Sequence, residues 1–231
     1  MEQERVPGRR LLAVAALWAV ATAIVYGAIV LLARVIARRF VHAHEGDFSA
    51  SFLLAAYVLL FAALWIGFGG PRGLSRVLGF RYTNWAHLLL APVFWLATVL
   101  VGAIAAVPFE RWLGAPKSNA VPLVQVANDR YATAVVVLTV VLVAPACEEM
   151  LFRGGIFGWL RGRVPVLLAA VISAALFAAA HRFAPALVVL FVFGLSAALV
   201  YQRTGSTLNT FVMHACQNAV ALAAVYSGLV R

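Results

Sequence analysis

Apolar stretches close to the length of a bilayer span follow one another down this chain, and few folds can accommodate them. They cover residues 11–33, 52–68, 85–107, 131–147, 164–180, 184–201 and 207–230. Crossing the hydrocarbon core takes about 20 apolar residues as a helix. No water is available there to satisfy backbone N–H and C=O groups, so such stretches must be helical. Alternating ten-residue segments of barrel type are absent. The expected fold is therefore all-α, a polytopic membrane helix bundle of about seven transmembrane helices. Hydrophobic types make up 65% of the chain and charged types only 11%, against about a quarter charged in soluble domains.

The net charge of +10 is carried almost wholly by arginine, with Lys117 the only lysine. The arginines cluster at the ends of apolar stretches, as in Arg5, Arg9 and Arg10 or Arg34, Arg38 and Arg39. That placement suits contact with anionic headgroups. No basic run forms a soluble face, so no nucleic-acid partner is expected. Basic residues divide almost evenly between the two sides, with a small excess that favours a cytoplasmic N-terminus. The first stretch ends at arginines and not at a small-residue cleavage site, so it is read as a retained signal anchor. Residues 71–84 carry Leu74, Val77 and Leu78 on one helical face among Arg72, Arg76 and Arg81. This segment is either a short interfacial helix or a basic loop. Residues 1–130 are expected to form N-terminal transmembrane helices with this segment, and 131–231 a helical core, in one membrane domain.

Two of the eight acidic residues stand apart. Glu148 and Glu149 directly follow an apolar run, whereas the others fall in expected tails and loops. Ionisable groups at membrane depth are costly and are functional candidates. Arg153 lies four residues after Glu149, on the same helical face, and can pair with it. Glu148 is turned by about 100° and has no such partner, which leaves it free to act as a base. Alternatively, both acids cap a helix or mark a headgroup boundary, since Pro145 makes a helix start or kink plausible.

His42 and His44 fall in the first loop and His87 at an interface, whereas His181 and His214 end or interrupt apolar runs. Asn218 follows His214 by four and shares its face; Phe177 precedes His181 by four. One acid pair and two histidines on three apolar segments can converge in a bundle core. Such a set is either an acid/base constellation or a metal site of two imidazoles and a carboxylate. Ser196 and Ser206 have no base at an activating spacing, and Cys147 and Cys216 read as packing residues.

The run Glu148, Glu149, Met150, Leu151, Phe152, Arg153 resembles the E-E-x-x-x-R motif of the CAAX-protease and bacteriocin-processing (Abi) family of intramembrane proteases. Phe177 to His181 resembles its F-x-x-x-H motif, and His214 to Asn218 its H-x-x-x-N motif. The resemblance spans residues 141–219. It implies an intramembrane endopeptidase that acts on a peptide or membrane-anchored protein, with membrane lipid as its surroundings and a bacterial cell membrane as its location. By similarity, Glu148 activates water with help from His181, and His214 and Asn218 stabilise the oxyanion. Glu149 and Arg153 hold the site in shape. Members are commonly called metalloproteases, so a divalent metal such as zinc on Glu148, His181 and His214 is one expectation and a metal-independent site the other. Rival readings are a non-catalytic bacteriocin-immunity or scaffold protein, a proton or cation transporter, and polar residues serving only as interhelical glue.

Overall fold

A computed structural model describes residues 6–36, 45–114, 121, 124 and 129–229. Arg5, Arg38, Arg39, His42, His44 and Lys117 lie outside the described residues. All regular structure among the described residues is helical. The helices are α1 (Gly8–Ile36), α2 (Glu45–Phe68), α3 (Gly70–Arg76), α4 (Trp85–Ala106), α5 (Arg130–Leu160), α6 (Val166–Ala180), α7 (Leu187–Thr204) and α8 (Thr207–Tyr226).

Six of these helices are long and apolar enough to cross a membrane, and α6 is an apolar helix of 15 residues. The polytopic bundle is thus as expected, and the division between α6 and α7 falls where residues 181–186 break the helix. At 1.5 Å per residue α6 is about 22 Å long, short of a hydrocarbon core of about 30 Å. A bundle built this way can bring the end of α6, with His181, below the membrane surface.

The fourth expected span, 131–147, is too short: α5 continues to Leu160 as one helix of 31 residues. Asp129 starts it by accepting a hydrogen bond from the Ala132 N–H at 2.8 Å. Pro145 neither starts nor ends it. The turn ahead of Pro145, Thr139–Val143, is π-helical, and the Ala144 N–H reaches back to the Thr139 carbonyl. A second π-helical stretch covers Met150–Phe157. Such widened turns are uncommon and recur at functional sites. Glu148 and Glu149 consequently lie inside a helix, between the two π stretches, rather than at its cap.

The 71–84 segment is part helix and part turn. The apolar face of α3 and the residues after it exists, but it packs into the protein: Leu74, Val77 and Leu78 are buried with Leu60, Leu64, Phe68 and Met150. The chain then turns under α5. A Cβ on Gly154 would come within 2.2 Å of the Leu78 carbonyl oxygen. Gly154→Ala should therefore lower the stability of the bundle by roughly 1–3 kcal/mol, the usual cost of overpacking; thermal unfolding in detergent, followed by tryptophan fluorescence, measures it.

Small residues set the approach of α6 to α7. Ala169, Ala170 and Ala174 on α6 are buried, as are Gly194, Ala197 and Ala198 on α7. Close backbone approach through such residues is how helices associate where lipid offers no hydrophobic drive. At the start of α8, Ser206 is the N-cap and its hydroxyl accepts from the Leu208 N–H at 3.2 Å. Its hydroxyl also donates to the Arg81 carbonyl, so this serine joins the turn after α3 to α8.

Candidate functional site

The centre of the bundle gathers side chains from α2, α5, α6 and α8. Glu149 is fully buried, and its two oxygens have separate partners. Oε2 pairs with Arg153 Nε at 3.1 Å, one helical turn on; Oε1 accepts from His214 Nδ1 at 2.9 Å. The pairing of Glu149 with Arg153 expected from their spacing is present. Its link to His214 crosses from α5 to α8 and has no signature in local spacing.

Arg153 is fully buried too. Its guanidinium carbon lies 4.3 Å from the Phe177 ring centroid, 5.8 Å from that of Phe193 and 6.0 Å from that of Phe152. Nη1 and Nη2 have no hydrogen-bond partner among the described residues. The aromatic faces therefore provide much of the guanidinium's surroundings, as cation–π contacts do for a desolvated cation.

His181 stands at the end of α6, where the last carbonyls of a helix lack partners. Its Nδ1 lies 2.8 Å from the Phe177 carbonyl. A carbonyl only accepts, so Nδ1 carries the proton. The same four-residue step stacks the two rings, with centroids 4.6 Å apart. The F-x-x-x-H spacing thus fixes both the tautomer and the tilt of the imidazole. In His214, likewise, the Nδ1 proton is held by the Glu149 carboxylate.

Both histidines turn Nε2 to one atom. His181 Nε2 and His214 Nε2 are each 3.8 Å from Glu148 Oε2. That is too long for a direct hydrogen bond and leaves a place where a small polar group can touch all three. The other oxygen of Glu148, Oε1, accepts from the Tyr57 hydroxyl on α2. The structure thus brings Glu148, Glu149, Arg153, His181 and His214 together.

Asn218 is placed differently. Its Nδ2 donates to the Val140 carbonyl at 2.7 Å. That carbonyl lies in the π turn of α5, whose i to i+5 pattern would match it with residue 145. Pro145 has no N–H to give, and the Asn218 amide takes that role. Beside it, Gln217 Oε1 accepts from Trp95 Nε1 on α4 at 2.7 Å. His87 is on the α4 N-terminal turn, its Nδ1 3.3 Å from the Thr83 hydroxyl, away from this centre.

Sequence reasoning missed Tyr57 and Trp95. Both sit in apolar runs of the N-terminal half, and a polar tip on an aromatic ring at that depth needs a partner. That requirement was the available signal.

Glu148, His181 and His214 have the donor types of a zinc site. Among the described residues, however, no three His, Cys, Asp or Glu side chains are gathered closely enough to hold an ion.

These features define a polytopic helical membrane protein with a buried glutamate–histidine centre. Residues 130–220 match the family model described as Type II CAAX prenyl endopeptidase Rce1-like. That segment contains all three motifs and is similar to the CAAX-protease family. Comparison with curated proteins and with solved structures returned no match.

Proposed function

We propose that the protein is an intramembrane endopeptidase that cleaves a membrane-associated peptide or protein near its C-terminus, with Glu148 as general base. The observation that carries this reading is the convergence of two Nε2 atoms of fixed tautomer on Glu148 Oε2. A water molecule there can give one proton to Glu148 and the other, as a hydrogen bond, to His181 Nε2. Its oxygen attacks the scissile carbonyl carbon. The proton held by Glu148 then passes to the leaving amine as the tetrahedral intermediate collapses.

The carbonyl oxygen becomes negative in that intermediate. His214, its Nδ1 held by the Glu149 carboxylate, stands on the oxyanion side. Asn218 uses one amide proton on Val140 and has a second to offer. Preorganised donors of this kind cost no reorganisation during reaction. The resemblance to bacteriocin-processing proteins favours a bacterial inner membrane.

The test is cleavage by the full-length protein in proteoliposomes. The probe is a synthetic peptide with a farnesylated cysteine fourth from its C-terminus, run beside the same peptide without the prenyl group. Release of the terminal tripeptide is expected. No cleavage of either peptide would overturn the proposed substrate class. A chelator arm, with metal content measured, decides whether an ion takes part.

A further inference from the structure

We infer that Tyr57, on a helix outside the matched segment, is a positioning residue that orients the Glu148 carboxylate for catalysis. The inference rests on the peptidase reading above for its kinetic part only. A carboxylate on a glutamate turns easily about its last torsion, which is broad and two-fold. Here the rotation is restrained from one side. The Tyr57 hydroxyl donates to Oε1, which leaves Oε2 as the oxygen facing both imidazoles.

The surroundings make the phenol the natural choice for that task. α2 is apolar through this stretch, and Tyr57 is only half-buried. It packs against the cluster that holds Leu60, Leu64, Cys147 and Met150. The main chain is tied at the same level, because the Cys147 thiol donates to the Tyr57 carbonyl at 3.6 Å. Backbone and side chain of one residue therefore grip two consecutive positions of α5, 147 and 148. A tyrosine can supply the proton only as a neutral donor with its ring seated in apolar packing. Oε1 is thus held without placing a second charge in the membrane.

Tyr57→Phe keeps the ring and its packing and removes the donor. With the farnesylated peptide as probe, kcat should fall about 10- to 100-fold, the scale on which misplacing a catalytic group acts. KM should stay within about twofold, because the substrate is not touched. The thermal midpoint should be unchanged. An infrared comparison supplies a readout that needs no substrate. The Glu148 carboxyl bands should move between wild type and Tyr57→Phe, and the difference should vanish when both are compared in a Glu148→Gln background.

An unchanged kcat with unchanged bands would overturn the inference. So would a loss of kcat matched by a lowered midpoint and a raised KM, which is what a packing role alone predicts. If wild type cleaves no peptide, the peptidase reading fails while the bands still decide the role of Tyr57: moved bands support it, unmoved bands overturn it.

Discussion

Glu148→Gln should abolish peptide cleavage, lowering kcat by roughly 10²- to 10⁴-fold, the range usually lost with a general base, while the protein still folds. Glutamine matches glutamate in size and can still accept the Tyr57 hydroxyl bond through its carbonyl. What it cannot do is take a proton from water. Glu148 is also the acid whose neighbours are least committed to structure. One oxygen meets a phenol, and the other faces two imidazole nitrogens at 3.8 Å. Glu149, by contrast, is enclosed and paired on both oxygens. The measurement is single-turnover cleavage in proteoliposomes, with the thermal midpoint taken on the same preparation. A variant that cleaves as fast as wild type would remove Glu148 from the mechanism.

Much of this arrangement can be seen in the residues before any fold is known, because the bilayer imposes its thickness on the chain. Helix number and type follow from span length, and depth makes Glu148, Glu149, His181 and His214 conspicuous. Local spacing identifies contacts that stay within one helix, such as Glu149 with Arg153 or Phe177 with His181. Contacts between helices leave no such trace. Tyr57 and Glu148 are 91 positions apart; the hydroxyl of Tyr57 within an apolar run calls for a partner, but nothing local says which. The length of α5 was misjudged for a related reason. Hydropathy stops at the first charged residue, but Glu148, Glu149 and Arg153 compensate one another and are covered by neighbouring helices. The helix can then continue through them. The tie from Asn218 to Val140 depends on a π turn that the Pro145 position permits but does not require, so only the folded helix reveals it.

Arg153→Met should be the most damaging single change to the fold, at a cost of about 3–5 kcal/mol, the usual penalty for stranding one member of a buried ion pair. Methionine fills similar space and keeps an apolar contact with Phe177, so the loss would not come from a void. It would come from Glu149, which would lose its charged partner on the same helix in a site that no solvent reaches. Arg153→Lys should not rescue it. A lysine ammonium is a compact, strongly hydrated charge that lacks the flat face packed against Phe177, and it would give up more solvation on burial. The informative comparison is the double variant Glu149→Gln with Arg153→Met, which removes both charges together. Its thermal midpoint should lie above that of Arg153→Met alone, since coupled partners are not additive. Its catalysis should stay low, because His214 would have lost the carboxylate that holds its Nδ1. If Arg153→Met melts with wild type, the ion pair is not what holds α5 in place, and the aromatic cluster of Phe152, Phe177 and Phe193 must do so alone.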